Sequence, residues 1–243
     1  MRYGLFSDIH GNLEALQAVT AALNEENVDI FWCLGDIVGY GANPNECLEQ
    51  VWDTTSDVIA GNHDFAAVGK VDLTYFNRNA AEAALWTMQN LSRAGSSYLS
   101  NLPFVLRNGE VMAVHATPSE PGKWGYILSL SIAEMEFGAL PADVTVCFVG
   151  HTHDPVIFYS DDEDYGVVPG MQCNLIPGLR YIINVGSVGQ PRDGDPRAAY
   201  CVYDSDTSLV EIKRVVYDVD EAQKKIRKAG LPEFLATRLA FGQ

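Results

Sequence analysis

Apolar residues fall along this chain in short runs that end on polar motifs, separated by segments with helical spacing. The run RYGLFSD, Arg2 to Asp8, predicts a strand. From Asn12 to Glu26, Leu13, Leu16, Val19 and Leu23 share one helical face. DIFWCLGD, Asp29 to Asp36, predicts a second strand. Asn43 to Asp53 predicts a second helix, opened by Asn43 and Pro44. SDVIAGNHD, Ser56 to Asp64, predicts a third strand running into a loop. Such alternation favours parallel pairing with right-handed crossovers.

The character then changes. Helical segments are expected over about Asp72 to Leu91 and Ser97 to Leu102. Phe104 to Ala116 predicts a hairpin about Asn108-Gly109, a pair suited to a tight turn. VTVCFVGH, PVIFYS, RYIINVGS and the long segment from Arg197 to Asp218 add strands, the last with a hairpin near Ser205 to Ser208. Helices from about Asp220 to Ala229 and near Pro232 to Leu239 close the chain. So many strands predict an α/β (α+β) fold of two packed sheets with helices outside. The chain carries no linker-like or low-complexity tract and no internal repeat, so residues 1–243 are expected to form a single domain.

Composition narrows the function class. Hydrophobic residues make 47% and charged residues 20%, and no apolar run approaches the length of a membrane span. The amino terminus lacks signal-peptide character, so a cytoplasmic protein is expected. Five cysteines without CxxC spacing argue against disulfides and thiolate zinc; Cys33 and Cys147, inside apolar runs, read as buried thiols. The formal net charge of −16 disfavours nucleic-acid polymers, which need a positive surface. An anionic substrate then requires a local reversal of the field, which bound metal ions supply.

The chemistry lies in what ends the strands. The chain has five histidines. All sit in polar motifs after apolar runs: Asp8-x-His10, Gly61-Asn62-His63-Asp64, His115, and Gly150-His151-Thr152-His153. Gly35-Asp36 ends the second strand. In α/β sheets the loops beyond the carboxyl ends of strands converge on one crevice. Imidazole and carboxylate together suit Mn, Fe or Zn. Asp8, His10, Asp36, Asn62, His115, His151 and His153 outnumber the donors of one four-coordinate ion, which favours two ions with Asp36 bridging. Against this stand blander jobs: Asp8 and Asp36 as helix caps, Asn62 as a turn residue, and a lone histidine as a structural group.

These motifs, in this order, resemble the calcineurin-like metallophosphoesterase superfamily from Met1 to about Tyr203. NVGSVGQPRDGDPRAAY, Asn184 to Tyr200, resembles its small bacterial phosphodiesterase and diadenosine-tetraphosphatase-like branch. The resemblance implies a four-layer αββα sandwich of two mixed sheets flanked by helices. It implies one ion, Mn foremost, held by Asp8, His10, Asp36 and His153, and another by Asp36, Asn62, His115 and His151. His63 would be the general acid, oriented by Asp64, for a hydroxide held between the ions to attack phosphorus. Two departures matter. Gly35 to Gly41 lacks the Arg that follows the Asp in many phosphoprotein phosphatases, and Ala116 stands after His115 where glycine is common.

Arg192 is a candidate for binding substrate phosphate, since guanidinium grips phosphate oxygens in a fork; an ordinary turn-rich loop is the alternative. Ser119 to Ser129, with Lys123, Trp124 and Tyr126, reads either as a surface loop or as a substrate-facing lid. The acidic run Asp161 to Asp164 reads as a solvated hairpin tip. GDIVGYG lacks the third glycine of a dinucleotide fingerprint. The expected function is hydrolysis of phosphodiester or nucleotide phosphoanhydride bonds in a small phosphorylated substrate, with no membrane partner. The alternatives are a phosphoprotein or small-molecule phosphomonoesterase, and a catalytically silent scaffold of the same fold.

Overall fold

The structure is a computed structural model and describes residues 1–161 and 164–243. The strands are β1 (Arg2–Phe6), β2 (Ile30–Cys33), β3 (Val105–Asn108), β4 (Val111–Val114), β5 (Val146–Val149), β6 (Val156–Ser160), β7 (Tyr165–Val167), β8 (Gln172–Asn174), β9 (Arg180–Asn184), β10 (Ala198–Asp204) and β11 (Leu209–Val215). The α-helices are α1 (Leu13–Glu25), α2 (Pro44–Thr54), α3 (Asn62–Ala67), α4 (Arg78–Asn90), α5 (Arg93–Leu99), α6 (Leu130–Ala139), α7 (Val219–Lys228) and α8 (Glu233–Thr237).

One sheet runs β2-β1-β10-β11-β8, the other β3-β4-β5-β9-β6-β7. Both are mixed. β1 and β2 are parallel in the first, and β4, β5 and β9 are parallel in the second. The two-residue period of a strand decides which layer each side chain joins. In β4, Val111 and Ala113 enter the core between the sheets, while Met112 and Val114 face α6. In β1, Tyr3 and Leu5 enter that same core and Phe6 faces α1 and α2. Helix, sheet, sheet and helix therefore stack in four layers, as expected.

Several boundaries differ from the expectation. The segment after Ser56 makes only an isolated parallel bridge, Val58 to Cys33. Asp57 and Ile59 bond Cys33, but Ala60 N–H donates to Pro103 O at 2.8 Å, which draws the chain off the sheet. GNHD is therefore the start of α3 rather than a loop. Residues Leu73–Tyr75 form a 3-10 turn, and α4 begins only after the Asn77 cap. α5 starts at Arg93 because Ser92 Oγ accepts the Gly95 N–H. α6 was not expected; Ser129 caps it and its Ala133 and Phe137 bury against the second sheet. The hairpins at Asn108-Gly109 and Ser205 to Ser208 form. Of the acidic run, Asp162 and Glu163 lie outside the described residues; Asp161 and Asp164 bond each other between the antiparallel β6 and β7. Cys33 and Cys147 are buried free thiols. Among the described residues, no helix is long and apolar enough to cross a membrane.

Candidate metal centre

The loops after β1 and β2 are laced together by Asp8 N–H to Gly35 O (3.0 Å) and His10 N–H to Asp36 O (2.9 Å). The loops after β4 and β5 are joined by Gly150 N–H to His115 O at 2.9 Å. Across the seam, Asp8 Oδ2 accepts the His151 N–H at 2.9 Å. Close approach there requires glycine: a Cβ on Gly150 would stand 2.2 Å from Ser7 Oγ and 2.6 Å from Asp8 Oδ2. Asp8, His10, Asp36, His151 and His153 all have positive φ, a conformation that costs about 1–2 kcal/mol in a non-glycine residue. Such strain gathers where the surrounding structure imposes a functional geometry.

Each carboxylate divides its work. Asp36 Oδ1 accepts the His63 N–H at 2.7 Å, so Asp36 does cap α3, from outside the helix. Its Oδ2 faces His115 Nε2 at 3.4 Å and His10 Nε2 at 3.7 Å. Asp8 Oδ1 faces His153 Nε2 at 3.2 Å. A backbone carbonyl can only accept, so it fixes the proton on the ring nitrogen that meets it. His10 Nδ1 donates to Val38 O (3.2 Å), His115 Nδ1 to Leu34 O (2.7 Å) and His153 Nδ1 to Gln190 O (2.6 Å). These three rings present Nε2 inward. His151 is reversed: Nε2 donates to Trp124 O at 3.1 Å and Nδ1 is presented.

The donor set fits metal ions. His10 Nε2 and His153 Nε2 lie 3.0 Å apart with both Nδ1 protons committed, so two lone pairs confront each other unless a cation or proton lies between them. Asp8 Oδ1, Asn62 Oδ1 and His115 Nε2 are buried without a hydrogen-bond partner, a costly state in a protein interior. Asp8, His10 and His153 bring donor atoms within 4.8 Å of one another, as do Asp36, His115 and His151. His10, Asp36 and His63 also satisfy this spacing. Carbonyl bonds to the outer ring nitrogens are the orienting contacts that metal-binding imidazoles use.

Without ions the charges lean on the imidazoles. Burial works against ionised Asp8 and Asp36, yet His153 and His115 respectively hold both below the usual carboxylate range. Burial would lower His115 too, but Asp36 outweighs it and pushes the ring up to about 9. Burial, with His115 adding to it, pulls His151 down to about 3. Burial lowers His63 to about 4, although Asp36 opposes.

His63 is buried, its ring centroid 4.9 Å from that of His10 and 4.3 Å from that of Tyr40. Asp64 does not orient that ring as expected. Its Oδ1 accepts Ile37 N–H (2.9 Å) and Val38 N–H (3.2 Å), and its Oδ2 accepts Gly61 N–H (3.0 Å). It braces the Asp36 loop instead, because three backbone donors converge on it. Arg192 stands beside the centre, its guanidinium carbon 5.9 Å from the Tyr40 ring and its Nη2 bonded to Gln190 Oε1. The loop after His115 also reaches the centre: Tyr126 stacks on His151 with centroids 4.0 Å apart.

Sequence reasoning missed several supporting residues. Tyr40, inside GDIVGYG, carries no motif signal of its own, yet its ring packs against His10 and His63. Ser187 donates to Asp8 O at 2.8 Å and receives Gln190 N–H at 2.9 Å, tying the GSVGQ loop beneath the centre. Glu136, buried on α6, accepts both Ser119 N–H (2.9 Å) and Ser119 Oγ (2.8 Å) and so pins the loop after His115. Nothing in the local spelling of α6 announces that contact.

Residues 1–208 match the model of the calcineurin-like phosphoesterase superfamily domain. The Methanocaldococcus jannaschii protein named "Uncharacterized protein MJ0912" is 40% identical over 244 residues, covering 98% of this chain and 97% of that protein. The crystal structure of a metallophosphoesterase from Sphaerobacter thermophilus superposes with a TM-score of 0.88 at 41% identity, over 100% of both chains. Hypothetical protein PH1004 from Pyrococcus horikoshii OT3 shares the fold, with a TM-score of 0.79 at 23% identity over 100% of this chain and 98% of that one. The matched residues carry every converging donor from Asp8 to His153, and the chain belongs to the calcineurin-like phosphoesterase superfamily.

Proposed function

We propose that this protein is a dinuclear metal-dependent phosphoesterase that hydrolyses phosphodiester or nucleotide phosphoanhydride bonds. The observation that carries the reading is the convergence of buried ligand atoms, above all the two Nε2 atoms of His10 and His153 that face each other at 3.0 Å, beside the unpartnered Asp8 Oδ1, Asn62 Oδ1 and His115 Nε2. Asp8, His10, Asp36 and His153 would hold one ion, and Asp36, Asn62, His115 and His151 the other. Asp36 would be shared between the two ions, since its Oδ2 faces His10 of one group and His115 of the other. Bound there, two divalent ions, Mn first and Fe or Zn as alternatives, would supply Lewis acidity toward phosphoryl oxygens and a water of lowered pKa.

The chain's own residues do the rest. His63 borders the open cleft beside the ligands and delivers a proton to the leaving oxygen. An anion beside the ring favours its protonated form. The Asp36–His63 N–H bond anchors the residue's backbone, and contacts with His10 and Tyr40 hold the ring beside the ligands. Arg192, placed beside Tyr40, binds a non-bridging phosphate oxygen. The second motif lacks the arginine of phosphoprotein phosphatases, which favours diesters and anhydrides over phosphoproteins.

The test strips metal with chelator, restores Mn, and compares an aryl phosphodiester, an aryl monoester and a dinucleoside polyphosphate. Metal-dependent turnover of the diester or polyphosphate above the monoester is expected. Monoester preference would give the monoesterase reading, and no turnover of any would give the scaffold.

A further inference from the structure

A cleft of about 610 Å³ opens beside the centre and is lined by Asn62, His63 and His151 at its metal end. That volume suits a small organic ligand. Its walls are unusually aromatic. On one side the turn after α3 contributes Tyr75 and Phe76; on the other, the loop after β4 contributes Trp124 and Tyr126. Phe76 is held edge-on against His63 with centroids 4.9 Å apart. Tyr126 is held by its stack on His151 yet remains 48% exposed, so part of the ring is left for a ligand. Tyr75 is 86% exposed and makes no ring contact among the described residues. Trp124 adopts a left-handed backbone, φ 59°, and its carbonyl anchors His151. Asp72 and Asn77 also line the cleft, each using one oxygen to cap a following turn and keeping further hydrogen-bonding atoms. Lys70 and Lys123 line the same space against a single carboxylate, in a chain of net charge −16.

Candidate metal ligands, aromatic side chains and polar side chains lining one cleft match one ligand chemistry: a planar heterocycle carrying a phosphate. We propose that this cleft is a nucleobase subsite, in which a base stacks along Tyr126 and Tyr75 and presents its edge to Asp72 and Asn77, while its phosphate reaches the metal end. The inference rests on the phosphoesterase reading and narrows its substrates to nucleotide esters and anhydrides. Peptide substrates bearing phosphotyrosine fit less well, because a phenyl ring has no edge groups for the polar residues to bind.

Titration calorimetry on the manganese-loaded protein would compare adenosine monophosphate, ribose 5-phosphate and phenyl phosphate. Base stacking predicts that adenosine monophosphate binds about tenfold or more tightly than either of the others. Tyr75→Ala, at an exposed position where folding is not at stake, is expected to collapse that advantage. Equal affinity for adenosine monophosphate and ribose 5-phosphate would overturn the inference, as would phenyl phosphate binding equally well. Undiminished selectivity in both Tyr75→Ala and Tyr126→Leu would also overturn it. Saturation-transfer NMR with adenosine, which has no phosphate, separates the two readings. Transfer to the adenine protons that weakens in Tyr75→Ala supports the subsite even if no phosphate compound binds or turns over. Turnover of simple diesters without such transfer would leave the phosphoesterase standing and remove the subsite.

Discussion

The two sheets contribute different chemistry to the same centre. Beyond the first sheet lie both carboxylates, Asp8 and Asp36, with His10 in the loop after β1 and Asn62 at the start of α3. Beyond the second come only imidazoles, His115, His151 and His153. Each carboxylate spends one oxygen on a backbone N–H and keeps the other for the centre. Each imidazole spends one nitrogen on a backbone carbonyl. Negative charge is therefore anchored on one layer and imidazoles on the other, and neither layer has a complete site. Packing the sheets against each other assembles the centre, with Gly150 at the seam where no side chain fits.

This division predicts unequal mutants. Asp36→Asn removes the carboxylate oxygen that stands 3.4 Å from His115 Nε2 and 3.7 Å from His10 Nε2, so both ions should be lost and turnover should fall to background. His153→Asn touches one set only and should lower metal content from about two ions per chain to about one. Elemental analysis after gel filtration decides; equal losses in the two variants would break the comparison. Next in size is His63→Ala. It should keep its metal and lose about 10²–10⁴-fold in turnover of an alkyl ester with a poor leaving group, since that is what general acid help supplies. Unchanged alkyl turnover would remove His63 from the chemistry.

Smaller effects probe the scaffold. Gly150→Ala forces a methyl into the contact with Ser7 and Asp8, and should cost about 1–3 kcal/mol in chemical denaturation as well as metal affinity. Glu136→Gln leaves Ser119 one acceptor short of a carboxylate pair, and should cost about 1 kcal/mol, visible as a lower denaturation midpoint. The smallest effect lies far from the centre. Burial alone would raise Glu26, but its bonds with Lys213 and Arg2 hold it below the usual range. Its folded pKa is depressed, so its stabilisation is present above the unfolded value and is lost as pH falls through the folded one. Glu26→Gln should flatten the acid limb of melting temperature against pH, by no more than about 1 kcal/mol for a partly exposed pair.

The convergence was legible in the sequence because the candidate ligand residues sit in short motifs directly after apolar runs, and strand ends convert sequence order into spatial proximity. The runs in β4 and β5 are apolar at every position, so the spelling predicts strands but not which layer each residue joins. What escaped notice depends on contacts between distant segments. Val58 fails to extend the first sheet because Pro103 captures Ala60. The family resemblance implies Asp64 as the group that orients His63, yet at the start of α3 its carboxylate meets the backbone of the Asp36 loop. α6 spreads its apolar residues Leu130, Ile132, Met135 and Phe137 around the helix, so no single face stands out in the spelling. Tyr40 becomes part of the site only when β2 delivers it against His10 and His63.

The central claim is that side chains from two separate sheets hold a pair of cations. Anomalous diffraction at the manganese edge, from crystals grown in excess Mn, tests it directly. The account predicts two peaks, one among Asp8, His10, Asp36 and His153, the other among Asp36, Asn62, His115 and His151. A lone peak, or density elsewhere with these groups left empty, would contradict it.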